Sequence, residues 1–325
     1  MKLPFATLCL ICLASFSCQK VKDLADKVRS KVSGEIAKQA GQSAGSEADP
    51  ALQKLVDQTA EGVIFRKDLP FPTKITVRTT TREEVSGRVF QKSELGKEAG
   101  ILKGTFSKVV LQEISGDRVT HTLIESVFAE PIIEGADPTK TPAPKVIEPP
   151  SKPVDFVKSG SSWKPAVSTD FRAASLAQTL SPVFGQLLEE SALAPRSLWF
   201  GKKRFKPGDQ LTITGPTLPM LITGEARGSL KLTFEKIDAV HGHPCGVFAL
   251  SGNFKRSRVP NFDGSLTDID VSISSGKFWL SLLHPIVLKE ETETIQSIRS
   301  GGQGGLSTQA QSSAKTSLIR EWKGG

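Results

Sequence analysis

Beyond residue 70, much of the chain alternates apolar and polar residues with a period of two, which is typical of β-strands with one buried face. Lys74–Thr81 is rich in β-branched residues. Thr105–Ile114 and Arg118–Phe128 flank Ser115-Gly116-Asp117, a hairpin turn signal. Further strands are predicted at Gln210–Thr214, Gly228–Val240, Gly246–Phe254, Leu266–Ser274, Lys277–Leu283, Ile286–Ile298 and Thr316–Trp322.

Two segments instead have the three- and four-residue apolar spacing of a helix. The first begins with Asp49-Pro50, an N-cap followed by a first-turn proline, and we expect it to end at Gly62. Its predicted buried face is Leu52, Leu55, Val56 and Thr59. The second is Ala173–Ser191. The fold class is therefore predicted as mainly antiparallel β with a few helices, a sandwich or open barrel with helices on one side.

The order of a helix followed by strands occurs twice, which indicates two similar halves. Residues 102–109 and 230–237 share Leu-Lys-x-Thr-Phe-x-Lys, and each begins a predicted hairpin. Shared β-propensity is the alternative explanation for so short a match. Residues 136–153 contain six prolines, which lack the N–H that a sheet needs. We therefore expect a first half over 49–135, a linker over 136–153 and a second half over 154–325.

The N-terminus has the layout of a secretion signal. Met1-Lys2 precedes an apolar run over Leu3–Phe16, too short for the roughly 20 residues that cross a bilayer core. The small side chains of Ser15 and Ser17 suit cleavage before Cys18. Residues 1–17 are predicted to be a signal peptide, and the chain is predicted to be exported.

A cysteine placed directly after the cleavage site resembles the N-terminus of a bacterial lipoprotein. The resemblance covers these first residues only, and it departs from the usual pattern at Ser15, where leucine is commonest, and at Phe16, where a small residue is usual. It implies acylation of Cys18 and anchoring to a membrane of the cell envelope. An incidental cysteine in a secreted protein is the alternative.

The residues around the anchor fit this expectation. Of four cysteines, Cys9 and Cys12 leave with the signal, so only Cys245 remains in the folded body and it can form no internal disulfide. Residues 18–48 form a predicted tether, with a basic amphipathic helix before a Gly/Ser/Ala linker. This helix would either lie on an anionic membrane surface or serve as a solvated stalk.

The net charge of +8 favours an anionic partner in the envelope, and export argues against nucleic acid. The densest basic cluster is Lys202, Lys203, Arg204 and Lys206, interrupted by Phe205, and it is a candidate anion-binding site. The alternative is a solvated turn before Pro207-Gly208-Asp209.

One short segment carries metal-ligand side chains. His241, His243 and Cys245 are spaced two apart, so on a continuous strand they would share one face and could bind zinc or copper. Gly242 and Pro244 instead favour a hairpin loop, in which the histidines are solvated and Cys245 begins the next buried strand.

Other enzyme signals are sparse. The sequence has no His-Glu-x-x-His and no Gly-x-x-x-x-Gly-Lys, and no cofactor is predicted. We expect a non-enzymatic lipoprotein of the cell envelope, with a β-rich binding or structural module on a membrane tether. A periplasmic carrier or binder of a lipid or other apolar ligand is the first alternative. A metal-dependent enzyme that uses His241, His243 and Cys245 is the second.

Overall fold

The computed structural model describes residues 47–66, 69, 74–93, 96–128, 132–133, 145–146, 149–159, 162–177, 203–214, 226–260, 266–284, 286–301 and 307–324. Within these residues one large antiparallel sheet of 13 strands dominates, and it is open, not closed into a barrel. The predicted mainly antiparallel β class is therefore confirmed. None of the helices in these ranges is long and apolar enough to cross a membrane.

Within the described ranges the named elements are a short helix and fifteen strands. They are α1 Pro50–Gln53, β1 Gln58–Thr59, β2 Gly62–Val63, β3 Lys74–Ser93, β4 Gly96–Ser115, β5 Arg118–Phe128, β6 Ile132–Ile133, β7 Lys145–Val146, β8 Val154–Ser159, β9 Ser162–Pro165, β10 Gln210–Thr214, β11 Ala226–Val240, β12 His243–Pro260, β13 Leu266–Ser281, β14 Val287–Gly301 and β15 Ser307–Lys323. Residues 171–177 are also helical.

The sheet runs in the spatial order β10-β11-β12-β13-β14-β15-β3-β4-β5-β8-β9, while β6 pairs with β4, β7 pairs with β5, and β1 and β2 form a separate pair. Strands from both sides of the predicted linker over 136–153 thus lie in one sheet. The two groups meet where β15 pairs with β3, from Ser307 opposite Lys92 to Lys323 opposite Thr76. The domain boundaries stay a prediction, but the two predicted halves share this sheet.

The sheet has two different faces because neighbouring residues of a strand point to opposite sides. The core face is the face that carries Phe234, Phe248 and Phe278, which lie opposite one another on β11, β12 and β13. On β15 and β3 the same face carries Ala310 and Val89. The other side is called the outer face.

The largest cluster on the core face is aromatic. Phe65, Phe205, Phe234 and Phe248 pack together with ring centroids 5.3 to 6.4 Å apart, mostly edge to face. Phe65 arrives on the segment after β2, whose Val63 exchanges two backbone hydrogen bonds with Phe205, at 2.8 and 3.0 Å. The N-terminal segment therefore covers this end of the sheet.

A second cluster occupies the core face near β3, β4, β5 and β8. Ala173 and Ala177, on the helical residues 171–177, pack against side chains that include Val77 and Phe156. Asp170 caps this helix, since its Oδ1 accepts hydrogen bonds from Arg172 N at 2.8 Å and Ala173 N at 3.2 Å. The Ser151 hydroxyl and these N–H groups lower the pKa of Asp170 to about 2.

Some predicted elements differ from the structure. The helix expected from Asp49 to Gly62 is only α1, Pro50–Gln53, because the residues after it turn into the hairpin of β1 and β2 that positions Phe65. Leu55, predicted to be buried, is 42% exposed. The two strands predicted over 266–283 are the single strand β13, which continues through a register shift between Ile273 and Ser275.

Other predictions hold. The turn after Ile114 is present, with Gly116 in the left-handed region at φ 54°. The strands Arg118–Phe128 and Gln210–Thr214 have the predicted bounds. Of the predicted helix Ala173–Ser191, residues 173–177 are helical and the rest lies outside the described residues.

Candidate binding surface

The outer face is polar and exposed across the middle of the sheet. Its exposed polar side chains on β15 and β3 include Gln309, Gln311, Ser313, Lys315, Ser317, Arg78, Arg82, Glu84, Ser86 and Arg88. Several charges are paired across or along the strands, for example Lys315 Nζ with Glu293 Oε1 at 2.8 Å and Arg82 with Glu84 at 2.8 Å. This alternation with an apolar core face is what an antiparallel sheet with one solvated side requires.

A shallow depression of about 430 Å³ lies across β11, β12, β13 and β14. Its polar outer-face groups are Arg227, Asn253, Lys255, Asp270, Ser272 and Ser297. Ile295, which is 50% exposed, contributes an apolar side chain. Two of the charged groups also form ion pairs, Lys255 with Asp268 at 3.4 Å and Asp270 with Arg299 at 3.6 Å. The depression can make many polar contacts to a ligand.

The three predicted metal ligands take up different positions. His241 lies in the exposed turn between β11 and β12, at φ 49°. His243 and Cys245 are buried at the start of β12, and Cys245 Sγ donates to the His243 carbonyl at 3.3 Å. No group of three or more His, Cys, Asp or Glu residues that could hold a metal occurs in the described ranges. His241 is exposed, as the hairpin alternative expected, but His243 is buried and not solvated, and the metal role stays a prediction.

The His243 ring belongs to a buried hydrogen-bonded cluster around Ser281. Ser281 Oγ lies 2.7 Å from His243 Nε2 and accepts the backbone N–H groups of Leu283 at 3.0 Å and His284 at 2.9 Å. With two N–H donors already pointing at Oγ, the geometry favours donation of the hydroxyl proton to His243 Nε2. The His284 ring stacks on Trp322 with centroids 5.4 Å apart. These contacts hold the ends of β12, β13 and β15 together.

The predicted anion-binding cluster is largely neutralised by acidic partners. Arg204 pairs with Asp57 at 2.7 Å, Lys206 with Glu61 at 3.4 Å, and Lys203 with Asp209 at 3.7 Å. Lys203 Nζ also lies 4.9 Å from the centroid of Phe205. Lys202 lies outside the described residues. The three described cations thus hold the N-terminal segment and the 203–209 turn together, and the anion-binding role stays a prediction.

The core face of β14, β15 and β3 carries charged side chains among small ones. Glu83 lies opposite Thr316, Glu290 opposite Leu318, and Arg320 opposite Thr79. Burial raises the pKa of Glu83 and of Glu290, and Arg320 and Thr292 partly counteract the shift at Glu290. Burial lowers the pKa of Arg320 to about 10, and its guanidinium donates to the Val287 carbonyl. The positive and negative groups therefore share a partly dehydrated region.

Two features of the N-terminal region lie outside the described residues. One is Cys18, the predicted lipidation site. The other is Gly41-Gln42-Ser43-Ala44-Gly45, which has the Gly-x-Ser-x-Gly spacing of a nucleophile elbow. That elbow needs a strand directly before it and a helix directly after it. The preceding residues 19–40 have helical spacing and the linker composition favours a coil, so the sequence context does not fit the elbow.

The residues that build the candidate surface and its support were mostly not predicted. Ser281, His284 and Trp322 form a cluster from two distant parts of the chain, and no local motif joins them. The alternation of apolar and polar residues in β11 and β12 does indicate which side of each strand is buried. The polar positions of these strands therefore predict which residues lie on the outer face. Neither Phe65 nor Phe205 lies in a predicted strand, and their packing follows from the fold alone.

Comparison with known proteins gives no family. No family model matches the chain, and no curated protein matches it. Among solved structures, it is similar to one described under lipid–protein interactions in lipovitellin, with a TM-score of 0.34 and 9% identity over 78% of this chain and 26% of that chain. A DUF1329 family protein from Desulfovibrio piger matches with a TM-score of 0.12 and 8% identity over 74% of this chain and 85% of that chain. At these values neither likeness assigns a function.

Proposed function

We propose that the protein is a non-enzymatic binding module of the cell envelope, exported and anchored through acylated Cys18. The observation that carries the proposal is the polar, exposed outer face across the middle of the sheet, on the side away from the apolar clusters of the core face. A surface of this kind offers many hydrogen-bonding and charged groups to a large partner. The partner that best fits the net charge of +8 is an anionic component of the envelope.

The proposed tether would leave this surface free to reach its partner. The 28 residues from Gln19 to Ser46, the difference between positions 46 and 18, separate the anchor from the first described residue, Glu47. Fully extended, they span at most about 95 Å at roughly 3.4 Å per residue. Anchoring confines the module to a layer next to the membrane and so raises its effective concentration there.

Acylation can be tested by labelling a bacterium that expresses the chain with an alkyne-tagged fatty acid and separating its membranes. The wild-type chain should carry label and sediment with membranes, and Cys18→Ser should lose both properties. Cys12→Ser is the matched control, because Cys12 lies within the predicted signal and should leave labelling unchanged. Labelling of Cys18→Ser at the wild-type level would refute the anchor.

The binding role can be tested by photo-crosslinking from the outer face. A crosslinking residue at Gln311 or Ser313 should trap an envelope component, whereas one at Ala310 or Ala314, on the core face of the same strand, should not. Equal or absent products from both faces would remove the outer face as the binding surface.

A second candidate function is a carrier of an apolar ligand. The core face of β14, β15 and β3 favours it, because small residues such as Ala310, Ala314 and Gly87 lie there beside the half-buried charges of Glu290 and Arg320. An amphiphile would place its chain along the small residues and its polar group at these charges. Solvent extraction of the purified protein and mass spectrometry should then recover a lipid. The variant Ala314→Leu should reduce its amount, and an extract without lipid would reject this function.

A further inference from the structure

Two large apolar side chains stand exposed at one end of the outer face. Phe90 on β3 is 48% exposed and Ile101 on β4 is 39% exposed. Phe90 lies opposite Ala99, and Ile101 lies opposite Arg88, so Phe90 and Ile101 are diagonal neighbours across the two strands. Diagonal pairs of this kind are about 7–8 Å apart, within reach of an aromatic ring. The two side chains therefore form one contiguous apolar spot.

Two cations adjoin this spot. Arg88 lies opposite Ile101, and Lys103, two residues further along β4, lies opposite Ser86. Both side chains are exposed, and neither forms an ion pair with any described residue. The nearest acidic residue along β3, Glu84, is already paired with Arg82 at 2.8 Å. The group of Arg88, Phe90, Ile101 and Lys103, called here the β3–β4 patch, is thus both apolar and positively charged.

We propose that the β3–β4 patch docks on the anionic lipid surface of the membrane that holds the protein. Exposed aromatic and branched aliphatic side chains enter the boundary between headgroups and acyl chains, while arginine and lysine remain at the headgroup level. Each cation near an anionic surface contributes about a fivefold increase in affinity. The patch therefore has the apolar and the charged component of an interfacial contact.

The proposal deepens the proposed function and rests on it for the location of the protein. A single patch of two apolar and two basic residues binds a bilayer weakly. Acylation at Cys18 would supply the persistent attachment, and the patch would orient the sheet so that its remaining outer face is presented at a defined angle to the membrane.

The test uses the full chain with Cys18→Ser, so that no acyl chain contributes to binding. Its partition is measured by flotation with vesicles of phosphatidylcholine alone or of phosphatidylcholine with phosphatidylglycerol. We expect binding to the anionic vesicles only, weakened by salt. Adding Arg88→Gln and Lys103→Gln should lower affinity about 25-fold, the product of two fivefold effects. Adding Phe90→Ser and Ile101→Ser should lower it at least tenfold.

Matched control variants distinguish the effect of the β3–β4 patch from the effect of removing any exposed apolar side chain or any two cations. Val157→Ser removes an apolar side chain that is 44% exposed on the outer face of β8 and should leave binding unchanged. Lys277→Gln with Lys315→Gln removes the same number of cations, each of which is paired with a glutamate, and should weaken binding much less. Thermal melting confirms that each variant is folded.

Several outcomes would overturn the inference. They are absence of binding to anionic vesicles, equal binding to neutral vesicles, and equal losses in the patch and control variants. Crosslinking of Phe90 to a protein in membranes, with no lipid product, would identify a protein partner instead. Acylation is scored separately by fatty-acid labelling of the wild-type chain, so the failure of the patch and the failure of the anchor are distinguishable.

Discussion

A methyl group built on Gly246 would lie 2.4 Å from Cζ of Phe65. Gly246 faces the core from β12, and the ring of Phe65 occupies the space that any side chain would need. Phe234 lies on the other side, with Cε2 3.0 Å from the same position. The ring of Phe65, some 180 residues earlier in the chain, thus fills the space beside Gly246 that a side chain would occupy. This packing holds the N-terminal segment on the core face.

We expect Gly246→Ala to lower the free energy of unfolding by about 1–3 kcal/mol, because the added methyl group overpacks the aromatic cluster. Phe65→Leu, which shortens the opposing side chain, should recover part of the loss in the double variant. Urea denaturation of the two single variants and the double variant measures the coupling. If the two effects simply add, the close contact between Gly246 and Phe65 does not limit packing.

The Ser281 hydroxyl should matter more than its size suggests. Ser281→Ala removes the acceptor of two backbone N–H groups and the partner of His243 Nε2, all of them buried. We expect a loss of roughly 3 kcal/mol in the free energy of unfolding, since buried polar groups would be left without partners. Ser317→Ala, on the exposed outer face of β15, should change it by less than about 0.5 kcal/mol. Equal effects of the two variants would contradict the structural role of Ser281.

The sequence predicts those elements of the fold that depend on residues close together in the chain. The hairpin at Gly116 and the strand Gln210–Thr214 follow from turn residues and alternation, and both are present. The length of β3 could not be predicted, because Glu83, Gly87 and Phe90 interrupt the apolar alternation of Arg82–Ser93. That segment is a strand because β4 and β15 pair with it along its length. Pairing between strands here outweighs a weak local preference.

The candidate sites likewise depend on contacts between distant parts of the chain, which local sequence patterns do not predict. The sequence shows the basic cluster around Arg204. It does not show that Asp57 and Glu61 neutralise the cluster, because these partners lie about 145 residues away. The two histidines beside Cys245 suggested a metal site from spacing alone. In the fold, the turn at His241 and Gly242 separates His241 from the buried His243. Spacing along a chain predicts a shared face only where the strand is continuous.

His121 should make stability depend on pH. Burial, with a further effect of Lys108, lowers the pKa of His121 from 6.5 to about 4, and Gln112 Nε2 lies 3.3 Å from its Nδ1. Below pH 6.5 the unfolded chain binds a proton that the folded chain does not, so the free energy of unfolding falls as pH decreases and the loss levels off below the folded pKa. The full contribution is roughly 3 kcal/mol.

About half of this loss, roughly 1.5 kcal/mol, should occur between pH 6.5 and about pH 5, above the range in which ordinary carboxylates bind protons. The free energy of unfolding is measured by urea denaturation at several pH values in that window. It should change less with pH in His121→Leu than in the wild-type chain. The imidazole resonances of the four histidines, followed by NMR, give the folded pKa directly. A His121 that titrates near 6.5 would contradict its burial.

Gly87 should be required for the pairing of β15 with β3. A methyl group at Gly87 would lie 2.2 Å from the Gln311 carbonyl oxygen and 2.6 Å from Ser312 Cα, so the obstacle is the backbone of the neighbouring strand. Gly87→Ala should force the two strands apart at this point and lower the free energy of unfolding by at least about 1–3 kcal/mol. Hydrogen exchange should quicken in peptides from the middle of β15 more than in β12.

The control is Ser86→Ala, at the neighbouring position on the outer face. It loses only a hydroxyl contact of 2.9 Å to Ser313 and should leave exchange in β15 nearly unchanged. Because β15 is the strand that joins the β10–β14 group to the β3 group, an unaltered exchange pattern in Gly87→Ala would mean that the close approach of these strands is not what holds the sheet together.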